Sequence, residues 1–300
     1  RSSALWMKRS CADTVRTCGT CKEGAMIQDI SPYRLDTAYR DTVPAPDDRF
    51  FSFQGEDVLL QEGEDGCRSL PSFRDLQYPA EEMPRQAVFL FRVDKEPVFL
   101  LDGAAPGCRG LRYLPVCGLK GILPGWAFFA GVTALHLNHW YGNNRYCGRC
   151  GSVVEKKMWQ RALGCPDCGN TVYPCIAPVV MVAVINGDKL LMTKYAGRSL
   201  PQWVLISGFV ETGETLEEAA EREVFEETGI RIRDLQYFGS QPWGFSDSVI
   251  AGYTARLDGP DEIRLDRKEL AEAEWHLRSR LPDELTDISI AHEMIESLRL

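Results

Sequence analysis

The feature that most constrains this chain is the acidic segment GFVETGETLEEAAEREVFEETGI, residues 208–230, which holds seven glutamates within fourteen positions. Like charges at i,i+4 destabilise a helix, so a cation held between them would remove the repulsion. At about 100° per residue, Glu223, Glu226 and Glu227 share roughly one third of a helix circumference. Three carboxylates on one face predict a hard-oxygen site suited to Mg²⁺ or Mn²⁺.

The same segment carries signals for both ends of a helix. Thr215 followed by Glu218 is a capping-box pattern, so we expect the helix to begin there. Gly229 suits the position after the last turn, which predicts an end near Thr228. The core-facing positions at helical spacing are Leu216, Ala220 and Val224. The other glutamates, Glu217, Glu218 and Glu221, are expected to be exposed.

Composition limits the classes of protein that this chain can belong to. Of its 300 residues, 44% are hydrophobic and 26% charged, which is typical of a globular protein. The net charge of −9 argues against a general nucleic-acid or membrane-surface binder, although a local basic patch stays open. No apolar run approaches the roughly 20 residues of a membrane span, so no membrane partner is expected. Four of the eleven cysteines lie in a pattern that suits metal rather than disulfides, which indicates the reducing cytoplasm.

The chain divides into four predicted parts. Residues 1–25 are basic, lack hydrophobic periodicity and are interpreted as a non-native or disordered leader, in which Cys18 and Cys21 are incidental. An N-terminal domain is predicted over 26–144, a metal-binding ribbon over 145–173 and a last domain, which carries the acidic segment, over 174–300.

The N-terminal domain shows strand and helix signals but no catalytic constellation. Strands are predicted over Arg85–Val93 and Pro97–Leu101, joined by a short polar turn. A helical pattern follows and ends near Gly142. His136 and His139 could share a helix face, but without a third ligand nearby a structural role is favoured over a metal site.

Two cysteine pairs predict a zinc site. The stretch CGRCGSVVEKKMWQRALGCPDCG contains two C-x-x-C turns, each followed by glycine, whose thiolates are Cys147, Cys150, Cys165 and Cys168. Four sulfurs form a closed, structural zinc site, and the alternative is a pair of disulfides or free thiols. The residues between the turns offer either a nucleic-acid contact or a solvated face: Lys156, Lys157, Trp159 and Arg161.

The last domain mixes strands and helices. Two apolar runs flank Asn186-Gly187, which suits a type I′ hairpin turn. The stretch WVLISGFV predicts a buried strand, DRKELAE a short helix, and ISIAHEMIESLRL a helix with Ile288, Ala291, Ile295 and Leu298 on one face. We expect an α+β fold, an α/β/α sandwich with a mixed sheet, preceded by the ribbon and a smaller α+β domain.

The acidic segment matches the pattern G-x5-E-x7-R-E-U-x-E-E-x-G-U, where U is aliphatic. The matching residues are Gly208, Glu214, Arg222, Glu223, Val224, Glu226, Glu227, Gly229 and Ile230. This pattern resembles the Nudix box. The downstream stretch SQPWGFSDS resembles the motif S-Q-P-W-P-F-P-x-S of the NADH pyrophosphatase family of Nudix hydrolases, with Gly244 and Ser246 in place of prolines. The order of domains and the join Tyr173–Pro178 resemble that family too.

The resemblance implies roles for particular residues. The catalytic set is Glu223, Glu226, Glu227 and Arg222, with Arg222 orienting glutamates by ion pairing and the base left open between Glu226 and Glu227. The Mg²⁺ or Mn²⁺ ligands are these three glutamates, Glu269 and the Ser207 carbonyl. The substrate contacts are Tyr173, Phe209, Gln241, Pro242, Trp243, Gly244, Phe245, Ser246, Asp247, Ser248, Ala291 and Arg112. For Phe209 and Trp243 the alternative is core packing.

Three functions follow. The resemblance favours a metal-dependent NAD(H) pyrophosphatase that yields NMN(H) and AMP and also removes NAD caps from RNA, acting as a homodimer. A second is a Nudix hydrolase of ADP-ribose or another nucleoside diphosphate derivative, which the departures at Gly244 and Ser246 keep open. A third is a non-catalytic zinc-ribbon RNA-binding or scaffold protein, against which the complete glutamate set argues.

Overall fold

The computed structural model describes residues 26–63, 66–76, 87–103, 110–197, 202–282 and 288–300. These residues form two compact units, one of residues 29–175 and one of 26–28 with 176–300. The predicted leader, with Cys18 and Cys21, lies outside the described residues. Among those that are described, no helix combines the length and apolar character that crossing a membrane requires.

The unit of residues 29–175 begins with two small sheets. Its strands are β1 Leu35–Asp36, β2 Arg49–Phe51, β3 Phe53–Gln54, β4 Asp57–Glu62, β5 Arg68–Ser69, β6 Ala87–Val93, β7 Glu96–Leu101 and β8 Leu111–Pro115. One sheet has the order β1-β6-β7-β2, and in the other β4 pairs with β3, β5 and β8. The hairpin of β6 and β7 confirms the predicted strand pair, although residues 85 and 86 lie outside the described part.

Aromatic rings fill the core beneath these sheets. Phe50, Phe73, Phe89 and Phe99 are buried, and three pairs of these rings have centroids 4.9 to 5.9 Å apart. The helix α1, Gly125–Asn143, follows and ends one residue beyond the predicted Gly142. A three-stranded ribbon closes this unit, with β9 Glu155–Lys156, β10 Leu163–Gly164 and β11 Thr171–Val172.

The second unit is built on a six-stranded mixed sheet. Its elements are β12 Ala177–Asn186, β13 Lys189–Tyr195, β14 Ile206–Phe209, α2 Leu216–Thr228, β15 Ile232–Trp243, β16 Ser248–Leu257, β17 Leu270–Leu277 and α3 Ile290–Ser297. The sheet order is β15-β16-β12-β13-β17, with β14 paired to β12. The β12–β16 pair is parallel and the others are antiparallel.

Strand β12 shows why both sheet faces are covered. Successive side chains of a strand point to opposite faces. Val180, Val182 and Val184 pack in one core with Ala219, Ala220 and Val224 of α2. Ala183 packs in the other core with Ile290, Met294 and Ile295 of α3. A continuous apolar strand is therefore needed at the centre, and the predicted α+β sandwich is confirmed.

Three local predictions differ from the structure. The hairpin turn is formed by Gly187 and Asp188, and only Gly187 has a positive φ (59°), so the predicted type I′ turn is wrong. Residues 267–269 form a turn and Leu270 begins a strand paired with Tyr195, so the short helix predicted in DRKELAE is also wrong. Helix α3 begins at Ile290 and ends at Ser297, which leaves Ile288 and Leu298 outside it.

Candidate active site

The glutamate helix α2 has the predicted ends. The Thr215 side chain accepts a hydrogen bond from the Glu218 N–H, and the Glu218 carboxylate accepts one from the Thr215 N–H, which completes the capping box. At the other end, Gly229 adopts the left-handed conformation (φ 70°) and its N–H donates to the Phe225 carbonyl. These caps set the first and last residues of the helix, and with them the positions of the glutamates along it.

Arg222 lies at the centre of the acidic face. Its guanidinium binds both oxygens of Glu214, at 2.5 and 2.8 Å, and holds the pKa of that carboxyl down at about 2. It also donates to Glu223 at 2.7 Å and to Glu226 at 3.1 Å. A further bond of 3.0 Å reaches the Phe209 carbonyl. Arg222 thus joins the helix to the end of β14, as a bidentate cation among carboxylates can.

Gly208 explains the first fixed position of the box. A Cβ atom on Gly208 would lie 2.0 to 2.2 Å from the carboxylate carbon and oxygens of Glu223. Any side chain there would displace that carboxylate. The glycine therefore makes a cradle in β14 that receives Glu223, whose pKa is raised by burial.

Glu227 is the most perturbed carboxyl group of the site. It is 3% exposed, and its Oε2 is buried without a hydrogen-bond partner. Burial is the largest cause that raises its pKa to about 9, and the remaining causes are the charges of Glu223, Glu269, Asp266 and Glu226. A buried, unpaired carboxylate oxygen surrounded by other carboxylates is what a divalent cation would satisfy. The donor set therefore fits a hard cation such as Mg²⁺ or Mn²⁺.

The remaining predicted metal ligands lie at the ends of strands beside α2. Glu269, just before β17, is exposed and contributes to the raised pKa of both Glu227 and Glu223. The Ser207 carbonyl belongs to β14 and accepts a hydrogen bond from the Tyr195 hydroxyl. The carboxylates do not converge as tightly as metal-bound ligands would; within the described residues, the cysteine cluster alone does so.

The predicted substrate residues separate into exposed and buried side chains. Phe209 is 36% exposed at the end of β14, beside the Arg222 network. Trp243 is only 7% exposed and packs edge-on against Phe245, with ring centroids 5.0 Å apart. Gly244 and Ser248 are buried, whereas Pro242 is exposed and Ser246 and Asp247 are partly so. The packing alternative thus describes Trp243 better than Phe209.

Gln241 occupies a structural position that its motif does not indicate. Its side chain is fully buried, accepts a hydrogen bond from the Ile290 N–H at 2.8 Å and donates to the Ile288 carbonyl at 2.9 Å. It also donates to the Gln28 side chain at 3.1 Å. This amide ties β15 to the start of α3, where Ala291 is also buried. Its side chain therefore has a packing role. Its contact with substrate stays a prediction.

Two predicted substrate residues, Arg112 and Tyr173, belong to the unit of residues 29–175. Arg112, on β8, pairs with Glu62 at 3.1 Å, and its side chain is 70% exposed. Tyr173 is 57% exposed, and its hydroxyl accepts a hydrogen bond from the Gln160 amide. Their role toward a substrate stays a prediction.

The four cysteines form a closed metal site. All four Sγ atoms lie within 4.8 Å of one another, and the closest pairs are 3.4 and 3.6 Å apart. That spacing is far from a disulfide bond of about 2.05 Å and close to the roughly 3.8 Å between ligands on a tetrahedral zinc. Gly151 and Gly169 have φ of 82° and 71°, which lets each turn fold back on its cysteines. The alternative of disulfides is thus excluded.

The ribbon's basic residues have mixed positions. Lys157 donates to Thr171 at 2.8 Å, and Arg161 donates to the carbonyls of Phe89 and Leu90. These two side chains therefore serve structure within their unit. Trp159, in contrast, is 77% exposed. His136 contacts the Cys175 carbonyl at 2.8 Å, which agrees with the structural role favoured for it.

Asp266 and Tyr195 contact site residues although no sequence motif contains them. The Asp266 N–H donates to the Glu227 carbonyl at 2.9 Å, and its charge is among those that raise the pKa of Glu227. Tyr195 contacts Ser207 from the neighbouring β13. Neither lies in a motif, and their proximity depends on strand pairing, so no local pattern indicated them.

Comparison with known proteins agrees with this geometry. Residues 176–297 match the NUDIX domain family, and residues 143–173 match the NADH pyrophosphatase zinc ribbon domain. The fold and the site thus define a Nudix domain joined to a zinc ribbon.

Curated relatives identify the family further. A protein of Chromobacterium violaceum named NAD-capped RNA hydrolase NudC is 33% identical over 256 residues, which cover 84% of this chain and 92% of the relative. One of the same name from Haemophilus influenzae strain PittGG is 36% identical, over 58% of this chain and 67% of the relative. For strain PittEE the match is 38% and covers 59% of the relative. The chain belongs to the NADH pyrophosphatase family of Nudix hydrolases.

Among solved structures, a NUDIX hydrolase from Nitrosomonas europaea is similar with a TM-score of 0.43 and 21% identity, over 51% of this chain and 90% of that one.

Proposed function

We propose that this chain is a metal-dependent pyrophosphatase that hydrolyses NAD(H) to NMN(H) and AMP. The observation that carries the proposal is the buried Glu227 oxygen without a partner, set beside Glu223 in the cradle of Gly208. A folded domain has no packing reason to keep this carboxyl group next to others. A non-catalytic scaffold role does not account for it.

The chemistry follows from the charges of the substrate. A dinucleotide pyrophosphate carries two negative charges that repel an incoming nucleophile. Glu223, Glu226, Glu227, Glu269 and the Ser207 carbonyl would hold a divalent cation, Mg²⁺ or Mn²⁺. That cation would neutralise the substrate's charge and acidify a bound water. A box glutamate accepts the proton of the attacking water, and water adds to one phosphorus while the other phosphate leaves with its nucleoside. Arg222 keeps Glu223 and Glu226 oriented through its ion pairs.

The second substrate class is RNA that carries an NAD cap, because the same pyrophosphate joins its two nucleotides. The relatives named NAD-capped RNA hydrolase NudC support this class. ADP-ribose contains the same pyrophosphate but no nicotinamide. Because Gly244 and Ser246 depart from the family motif, the rate with ADP-ribose relative to NADH measures the substrate specificity of this chain. Cleavage of each substrate requires the same metal site.

The decisive experiment is a substrate panel with purified protein. NADH, NAD⁺, ADP-ribose and NAD-capped RNA are offered with Mn²⁺ or Mg²⁺, and the products are resolved by chromatography. We expect NMN(H) and AMP from NAD(H), and RNA with a 5′-monophosphate from the capped RNA. Glu227→Gln should lose activity by about 100-fold or more, since even partners of metal ligands contribute 10- to 100-fold.

The matched control for this panel is Glu221→Gln, the same substitution at an exposed position of the same helix. It should retain the parent's rates. If Glu227→Gln stays within a few-fold of the parent, the glutamate site is not the catalytic centre, and the proposed function fails.

We also propose that the chain acts as a homodimer in the reducing cytoplasm. The family resemblance supports the dimer, and the four-cysteine metal cluster, which requires reduced thiols, supports the compartment. Sedimentation equilibrium of the zinc-loaded protein gives the mass that decides between monomer and dimer.

A further inference from the structure

The end of β13 contacts two groups that come from separate parts of the active site. The Tyr195 hydroxyl donates to the Ser207 carbonyl at 3.1 Å, and the Ser207 Oγ lies 2.7 Å from the same hydroxyl. Since a phenol has one hydrogen to donate, Ser207 supplies the proton of the shorter bond. The next residue, Ala196, donates its N–H to the Glu269 carbonyl at 2.8 Å.

These bonds tie down the two site groups that lie outside the helix. Glu223, Glu226 and Glu227 lie on the capped helix α2, and Arg222 binds the first two of them. Ser207 lies on β14 and Glu269 in the turn before β17, so neither residue belongs to the helix. A bulge between Lys194 and Tyr195 shifts the pairing with β17, which places Tyr195 opposite Leu270. Tyr195 and Ala196 thus connect β14 to the Glu269 turn.

We propose that Tyr195 is a positioning residue, which orients the Ser207 carbonyl so that this oxygen can bind the catalytic divalent cation. The inference rests on the proposed function, since it assigns a cation to the Ser207 carbonyl. A carbonyl oxygen has two lone pairs, so one can accept the tyrosine hydrogen bond while the other faces the cation. The Ser207 hydroxyl completes the arrangement by fixing the position of the tyrosine oxygen.

The loss of the tyrosine hydroxyl should therefore weaken cation binding without changing substrate recognition. Tyr195→Phe keeps the ring and removes both bonds to Ser207. A neutral hydrogen bond contributes about 0.5–1.5 kcal/mol, which corresponds to roughly 2- to 12-fold in the dissociation constant of Mn²⁺. Mn²⁺ binding is measured on the zinc-loaded protein without substrate, by electron paramagnetic resonance of the free ion. The KM for NADH at saturating Mn²⁺ should stay at the parent value.

Tyr253→Phe is the matched control. Tyr253 is a buried tyrosine of the same domain whose hydroxyl donates one hydrogen bond, 3.1 Å long, to Glu217, away from Ser207. Its removal should leave the Mn²⁺ dissociation constant unchanged. Thermal unfolding of both variants separates a general loss of stability from a specific loss of cation affinity.

Each result has a defined reading. Weaker Mn²⁺ binding in Tyr195→Phe alone, at an unchanged unfolding temperature, supports the inference. Equal or tighter binding than in the parent overturns it while the proposed function stands. If the parent itself binds no Mn²⁺ beyond its zinc, the proposed catalytic site fails, and the inference fails with it.

Discussion

Glu227 combines burial with negative neighbours, and this has a consequence for stability. Its pKa is raised from 4.5 to about 9 in the folded protein without a catalytic cation. The folded state therefore keeps a proton that the unfolded chain releases above about pH 4.5. Because Glu227 keeps its proton in the folded state in this window, its contribution to stability falls as the pH rises from about 4.5 to about 9.

The test compares the parent with Glu227→Gln, which cannot titrate at this position. Without added Mg²⁺ or Mn²⁺, the parent's unfolding temperature should fall across that pH window by more than about 3 °C relative to the variant. Thermal unfolding at several pH values gives the two curves. Glu221→Gln should follow the parent. Parallel curves for the parent and Glu227→Gln would show that Glu227 is ionised in the folded protein.

Phe209 is the residue whose ring we expect to recognise the nicotinamide of the substrate. Its exposed ring follows directly on Gly208 and can stack on a flat heterocycle, at about 1–3 kcal/mol per base. We expect Phe209→Ala to lower kcat/KM for NADH by at least about 5-fold. ADP-ribose, which lacks nicotinamide, should be affected less if the ring stacks on nicotinamide.

Phe238→Ala is the control, because Phe238 has nearly the same exposure, 37% against 36%, but lies on β15 outside the Gly208 strand. It should leave both rates unchanged. An equal loss for NADH and ADP-ribose in Phe209→Ala would mean that the ring packs against the site rather than reading the nicotinamide.

At the scale of elements, β14 and α2 must approach closely enough for Glu223 to lie against Gly208. Gly208→Ala would place a methyl group within 2.2 Å of the carboxylate. The flexible glutamate can move aside, so the fold should survive, and alanine is the better strand residue by about 0.5–1 kcal/mol. We expect at least about a 10-fold loss of NADH hydrolysis with the unfolding temperature within about 3 °C of the parent.

Gly239→Ala on β15 provides the comparison, since the nearest atom to its added Cβ is an Ile290 methyl carbon at 4.0 Å. This variant should keep full activity. Full activity in Gly208→Ala as well would show that Glu223 need not occupy the cradle.

The helix α2 was predictable because its determinants are local. Thr215, Glu218 and Gly229 cap it through atoms within a few residues, and its apolar face has helical spacing. The turn at Gly187 and the region from Asp266 to Leu270 were not predictable in the same way. Pairing of Leu270 with Tyr195 outweighs the helix propensity of DRKELAE, and such pairing is a tertiary effect.

For the whole molecule, the sequence predicted the metal-binding residues better than the hydrogen bonds that hold the surrounding elements in place. The box glutamates and the four cysteines lie in contiguous motifs, so spacing alone indicated them. The support of Ser207 by Tyr195 and of α3 by Gln241 depends on residues that are 12 and 49 positions apart. Gln241 lies within a motif that resembles a substrate loop, yet its amide is used in packing. A motif match gives the residue type, and the structure adds the packing contacts that the motif does not contain.

The zinc site and the proposed Mg²⁺ or Mn²⁺ site lie in different units of the chain. All four cysteine ligands lie in the unit of residues 29–175, and all the proposed Mg²⁺ or Mn²⁺ ligands lie in residues 176–300. We expect one tightly bound zinc per chain. Cys165→Ser should lose this zinc and lower the unfolding temperature of the protein, since metal-binding energy is folding energy in such sites.

The same variant tests whether the metals act separately. Mn²⁺ stabilises any folded unit that binds it, by an amount set by its concentration relative to the dissociation constant. Added Mn²⁺ should therefore raise the unfolding temperature measured by calorimetry in both the parent and Cys165→Ser. Cys175→Ser, which changes an exposed cysteine outside the cluster, should keep its zinc in elemental analysis. A parent without zinc would refute the closed thiolate site, and a variant that no longer responds to Mn²⁺ would show that the catalytic domain requires the zinc ribbon to form its own site.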